Sequence, residues 1–220
     1  MSTGTLNEKP IARAIVTIPE WGNLHADVVV NDGAVLTGSV ELVIADLTIK
    51  GTIVPNRGGV YRERGHYQIV GGAAGWQKRI RAQAYRNDAG VKLLTVLRDA
   101  AQLAGETLGD IDPAARLGPH FVRPEGAAAL VLQAVSERRW YIDVDGVTKL
   151  GLRAATTTSG VTFVDPVDPG HARLTIAAEK IAAFMPGATI DDAPIEGFVV
   201  GRVVHRLNAD ELRTDLWGTP

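Results

Sequence analysis

Five histidines are the residues best suited to metal or acid–base chemistry: His25, His66, His120, His171 and His205. A zinc site needs three or four ligands converging on one point, with imidazoles and carboxylates at short, regular spacing. Here no two histidines stand four apart and there is no His-Glu-x-x-His, so each reads as a surface or interface imidazole. Three carboxylate pairs follow: Asp110 with Asp112, Asp143 with Asp145, and Asp191 with Asp192. Acid–base hydrolysis uses two carboxylates across a cleft, in environments that push their pKa values apart. Neighbours on one turn share one environment, so these pairs read as turn chemistry. The glycine-rich run Gly71-Gly72-Ala73-Ala74-Gly75 lacks the following Lys-Ser or Lys-Thr and the helix start of a phosphate cradle, and no Gly-x-Ser-x-Gly elbow occurs. The expectation is a chain with no catalytic residue, no cofactor site and no metal ligands, hence not an enzyme.

The bulk composition removes further classes. There is no cysteine, which excludes a disulfide framework and a thiolate zinc site and fits assembly in a reducing cytoplasm. Lys plus Arg number 23 against 25 acidic residues, without the basic excess that phosphate neutralisation asks for, so no nucleic-acid partner is expected. The densest basic run, residues 77–81, alternates with apolar positions as a strand with one solvated face does. Residues 1–10 are polar and form no secretory signal, and no apolar run approaches a membrane span, so a soluble protein is expected. Aromatics make up only 5%, and Trp21, Trp76, Trp140 and Trp217 are too dispersed for a stacking or carbohydrate-binding platform.

The elements that must position these residues divide the chain in three. Residues 11–18, 26–30, 39–53 and 67–70 are rich in Val, Ile and Thr, which predicts strands. Between them lie turn residues at 31–33, 55–59 and 71–72, and the glycine-flanked Arg62-Glu63-Arg64 predicts an exposed hairpin tip. From Val91 to Ala104 the period becomes helical, with Asp88 as the expected N-cap and Gly105 as the left-handed C-terminal residue. A second helix is expected to open at Pro124-Glu125 and run to about Arg138. Residues 140–144 and 147–152 flank Asp145-Gly146, the strongest short hairpin signal. Strands return after Ala154: residues 162–164, a turn-rich linker at 165–170, a mostly extended 174–184, a turn at 185–188 and a strand at 195–207 with bends at Gly197 and Gly201. Residues 210–220 read as a polar tail carrying Trp217. The fold class is α+β and β-rich: barrel-like strand domains at both ends, 1–86 and 154–220, around a two-helix and hairpin insert at 87–153.

Three segments, in order, carry a family resemblance. Residues 91–105 (Val-Lys-Leu-Leu-Thr-Val-Leu-Arg-Asp-Ala-Ala-Gln-Leu-Ala-Gly) resemble the helix-ending-in-glycine unit of phage tail baseplate hub proteins. Residues 138–151, from Arg138-Arg139-Trp140 through Asp145-Gly146 to Gly151, are similar to their helix running into a tryptophan strand and hairpin. Residues 184–188 and 197–206, Phe-Met-Pro-Gly-Ala and then Gly-Phe-Val-Val-Gly-Arg-Val-Val-His-Arg, resemble the closing strand pair. The family is the tail hub or late control D-like one, related to the spike hubs of contractile injection systems. The resemblance implies a virion structural protein that forms a homotrimeric ring in the tail baseplate, assembled in the host cytoplasm. Its implied partners are its own copies, the tail tube or other baseplate proteins, and a central spike or fibre. The alternatives are a distal-tail or tube-initiating ring protein and a tail-borne cell-wall hydrolase. Candidate interface residues are Arg62, Glu63 and Arg64 at the tip and Leu212 and Trp217 near the end; either place reads equally as a solvated loop.

Overall fold

The computed structural model describes residues 4–164, 172–178, 180–192, 195–208 and 211–219. Six strands come first: β1 (Gly4–Leu6), β2 (Lys9–Ile18), β3 (His25–Val30), β4 (Ser39–Ile44), β5 (Leu47–Tyr61) and β6 (Arg64–Gly71). They pair antiparallel in the order β1-β4-β5-β6-β3-β2, and β2 pairs back to β1 through Thr5↔Pro10 and Leu6↔Lys9, closing a barrel. Closure follows from the period-2 alternation that sends every second side chain inward. Ala14, Val16 and Ile18 of β2 are buried with Val28, Ile49 and Ile69 in the barrel core. The alternation changes parity once, between buried Ile11 and buried Ala14, where the β2–β3 register slips by one residue. A bulge there keeps both halves of β2 apolar on the inside.

The insert follows: β7 (Arg79–Ile80), β8 (Gln83–Arg86), α1 (Leu93–Ala104), β9 (Thr107–Leu108), β10 (His120–Arg123), β11 (Gly126–Ala127), α2 (Ala129–Val135), β12 (Trp140–Ile142) and β13 (Val147–Leu150). Its short strands pair β8–β10, β7–β11 and β12–β13–β9. It has a core of its own, with Trp76, Leu97, Ala100, Leu132 and Trp140 buried together. The two tryptophan rings stand 6.4 Å apart, and the Trp76 indole donates to Thr148 Oγ1 at 2.8 Å.

The last six strands are β14 (Thr156–Thr158), β15 (Thr162–Phe163), β16 (Arg173–Ala177), β17 (Ala188–Asp192), β18 (Ile195–Leu207) and β19 (Leu212–Gly218). They continue the sheet of the barrel: β18 pairs with β2 from Val203↔Ile18 to Leu207↔Ala14, then β19, β16 and β15 follow in order. On the other side β17 pairs with β18 and β14 lies parallel to β17. Leu174, Ile176, Ile190, Val203 and Leu216 share one buried cluster with the barrel core. The β4–β5 turn pins this layer, because Asp46 Oδ1 accepts from Ile181 N (2.7 Å) and Ala182 N (3.1 Å).

The predicted hairpin turns at Asp145-Gly146, the exposed Arg62-Glu63 tip returns both residues at positive φ, and Gly105 ends α1 at φ 82°. Several local expectations differ. Residues 55–59 do not turn the chain: they run within β5, where Val54 to Arg57 bulge out opposite Gln68 before Gly58 pairs with Tyr67. Gly58 sits at φ 143° with His66 O where a Cβ would project, so the turn-like composition marks a bulge. Asp88 does not cap α1. Asn87 closes that turn by accepting from Ala89 N and Gly90 N, and residues 91–93 are tied to 115–118 by backbone bonds, so the helix starts at Leu93. The second helix starts at Ala129 instead of Pro124, because Gly126-Ala127 pair with β7 and Glu125 meets Arg79 at 2.9 Å; it ends before Glu137 and Arg138, both at positive φ. The 174–184 segment is extended only to Ala177. The polar tail contains β19, a strand held on both edges. The linker at 165–170 and His171 lie outside the described residues.

Candidate assembly surface and polar junctions

The β5–β6 hairpin ends on Arg62 (φ 46°) and Glu63 (φ 63°), the two-residue turn whose twist matches its strands. Both are exposed together with Arg64, and Arg62 lies 5.2 Å from the Tyr61 ring centre. Pairing of β4 with β5 stops at Ser39↔Thr52, so beyond the bulge the described pairing of β5 is to β6 alone. The hairpin therefore carries an open strand edge with two apolar residues on it, Val60 (37% exposed) and Tyr61 (69%). The 31–38 loop crosses beside it. Lys9 pairs with Asp32, whose carboxyl is held below its ordinary value by that hydrogen bond and by Ala34 N–H. Buried Tyr67 donates to Ala34 O at 2.7 Å and accepts from Leu36 N at 3.2 Å, which fixes the loop over the barrel.

Leu212 and Trp217 stand elsewhere. Strand register puts the hairpin tip beyond the Ile11 end of β2 and Trp217 beyond its Ile18 end, so the two candidate places form no common patch. Leu212 packs half-buried against the main core. Trp217 stacks with Arg202 (4.1 Å) and Arg173 (5.5 Å). Between them lies a buried network that the sequence reading missed. Asp215, 1% exposed, is paired with Arg206 (2.8 Å) and Arg173 (3.1 Å), and accepts from Thr175 Oγ1 at 2.8 Å. His205 is also buried, with Nδ1 2.9 Å from Thr214 Oγ1, and burial pushes its imidazole down to about 4 against a small opposing pull from Asp46. This corrects the surface reading of that histidine; His25, His66 and His120 are exposed.

Two more junctions fix the insert. Gly22 donates to Trp140 O (2.6 Å) and accepts from Ile142 N (3.1 Å), while Lys50 N donates to Val144 O (2.7 Å). Glu106 accepts from Gly75 N (2.5 Å) and Ala73 N (3.1 Å), tying the end of α1 to the exit of β6. Where insert, barrel and last strands meet, Arg153 lies over the Tyr141 ring at 3.8 Å, donates to Asp143 (3.3 Å) and reaches Pro19 O (3.5 Å). Lys149 Nζ donates to Asp143 at 2.5 Å. Burial opposes ionisation of Asp143, yet hydrogen bonds from Lys149 and Val144 N, with the two cations, hold its carboxyl below the ordinary value. Burial outweighs Asp143 at Arg153 and lowers that group. The Asp143–Lys149 pair was legible, since an Asp-Gly hairpin sets Lys149 across from Tyr141; the contact of Arg153 with Pro19 has no local signal. Asp112 Oδ1 and Asp192 Oδ2 accept from Ala114 N and Val161 N, backbone work in place of catalysis. Among the described residues no three His, Asp or Glu side chains gather as a metal site, and no helix is long and apolar enough to cross a membrane.

No family model matches this sequence, and no curated protein resembles it significantly. Solved structures do resemble it in fold. The Shewanella oneidensis prophage MuSo2 43 kDa tail protein superimposes with a TM-score of 0.67 at 9% identity, over 95% of this chain and 93% of that one. The tail protein from Neisseria meningitidis MC58 gives 0.63 at 13% identity, over 97% and 95%. The Escherichia coli c3393 protein gives 0.64 at 12%, over 99% and 76%; it is a component of the type VI secretion system and is structurally similar to the T4 bacteriophage tail proteins gp27 and gp5. At these identities the likeness is one of fold, and the fold of this chain is that of phage tail and type VI secretion proteins.

Proposed function

We propose that the chain is a structural subunit of a phage-type tail, a baseplate hub that forms a homotrimeric ring between the tail tube and a central spike or fibre. The observation that carries this reading is the extent of the fold likeness: barrel, insert and continuing sheet together match three tail-type structures over 95% or more of the chain. The open β5 edge with Val60 and Tyr61 supports self-assembly, because an unpaired edge bearing apolar side chains is satisfied by a neighbouring copy. The polar junctions support a scaffold role, since every cluster of charge described above locks one layer to another. Native mass measured across a wide range of concentration tests the proposal. A trimer that dissociates in a Val60→Lys/Tyr61→Lys variant, with the thermal midpoint at high dilution unchanged, is expected. A hexamer would overturn the hub reading in favour of a tube-initiating or distal-tail ring. A monomer at every concentration would overturn self-assembly through this hairpin.

A further inference from the structure

A cavity of about 350 Å³ opens where hairpin β12–β13, strand β14 and the turn before β17 meet. Its polar wall carries Lys149, Arg153 and the hydroxyls of Thr156, Thr157 and Thr158; its apolar wall carries Ala182, Ala183 and Met185. Arg153 is 7% exposed, yet its bonding is incomplete. Its Nε has no partner in the described structure, and its contact to Pro19 O, at 3.5 Å, is at the limit of a hydrogen bond. A guanidinium has five N–H donors, and leaving them unmade in a buried place is costly. Tyr141 covers its face at 3.8 Å, which fixes the fork while leaving an edge unused.

The threonines add a second feature. Successive side chains of a strand point to opposite faces, so a cavity lined by three in a row runs along the edge of the strand. The described pairing of β14 is to β17 alone, so that edge offers backbone donors and acceptors beside Arg153.

Charge then selects the ligand. Two cations and the Asp143 carboxylate leave one net positive charge, which suits a monoanion and repels a phosphate dianion. A fork with a free edge fits the two oxygens of a planar carboxylate. The apolar wall requires that the carboxylate carry a short hydrophobic group. We infer that this cavity binds a carboxylate bearing a small apolar chain, held by Arg153 and Lys149 with the chain against Ala182 to Met185. The source is either the C-terminal residue of a polypeptide or a free aliphatic acid, and the inference does not depend on the assembly role proposed above.

Calorimetric titration of the full chain separates the outcomes. The probes are N-acetyl-valyl-leucine, its C-terminal amide, hexanoate and inorganic phosphate. Saturable binding of an acid with one site per chain is expected, weakened about tenfold or more by Arg153→Lys. The amide is expected to bind about tenfold more weakly than its acid, the loss of one charge-assisted bond. Ala183→Trp fills the apolar wall and gives the same loss by a route that leaves Arg153 and its packing in place. Tighter binding of the peptide acid than of hexanoate assigns a polypeptide terminus; equal or tighter hexanoate assigns a free acid. The inference is overturned if neither acid saturates, if amide and acid bind alike, if phosphate binds more tightly, or if Ala183→Trp changes nothing.

Discussion

Buried His205 makes the stability of the fold depend on pH in a definite window. Burial lowers the folded-state value to about 4, whereas the unfolded chain takes up the proton at the ordinary 6.5. Above pH 6.5 both states are neutral at this site and the stability is fully present. As pH falls from 6.5 towards 4 the unfolded state alone gains the proton, and stability falls by about 1.4 kcal/mol per unit. The window spans about 2.5 units, so the loss approaches 3 kcal/mol, roughly 6 to 12 °C in Tm for a chain of this size. Below pH 4 both states are protonated and this contribution levels off. Carboxylates such as Asp143 also lose stability in acid, so the test is a difference. Wild type is compared with His205→Leu/Thr214→Val, which removes both partners of the 2.9 Å contact and leaves no orphaned hydroxyl. Urea midpoints measured between pH 7.5 and pH 4 should diverge by the stated amount, wild type falling faster. Parallel curves would refute the buried neutral imidazole and the packing of β18 that places it there.

Two further perturbations test the junctions. Gly75→Ala should destabilise by about 1 to 3 kcal/mol in thermal unfolding, because an added Cβ would stand 2.0 Å from Ala104 O and force apart the end of α1 and the turn that Glu106 ties to it; an unchanged midpoint would mean that the two segments separate freely. Around Asp215, Arg173→Leu/Arg206→Leu should cost about 3 to 5 kcal/mol by leaving a buried carboxylate unpaired, while Asp215→Asn should cost less because both arginines are nearly half exposed and can turn to water; chemical denaturation giving the reverse order would show that the network does not depend on the burial of its anion.

What the sequence made legible was local. The helix at 93–104, its glycine end, the Asp-Gly hairpin and the exposed 62–63 tip each need only residues within a few positions of one another. The errors arose where two structures share one residue chemistry. Pro55 to Gly59 has turn composition, yet a strand bulge also requires Gly58 at positive φ, and only the register with Tyr67 distinguishes them. Thr214-Asp215 reads as solvated because a buried carboxylate is improbable until Arg173, 42 residues away, is placed beside it. Arg153 is the extreme case, since Pro19 is 134 positions distant and a lone arginine after a hairpin has no pattern.

These long-range polar contacts also explain why the chain is one mechanical body. A barrel closed by β1 and β2 could stand as an independent unit, with the last six strands hinged to it. Instead, β2 serves both, pairing with β1 at its start and with β18 from Ala14 to Ile18. Turning the two layers against each other would break that ladder and open a shared apolar core. The Asp46 bonds to Ile181 and Ala182 resist sliding, which hydrophobic contact alone resists poorly because it is non-directional. The insert is held in the same way, by backbone bonds at Gly22 and Lys50 and by Arg153 at the three-way junction. A subunit whose layers are joined by directional bonds presents its outer surfaces at fixed relative positions. In a ring, a small angular error in one copy is multiplied by every interface before closure, so such fixed geometry is what a closed assembly requires of its parts.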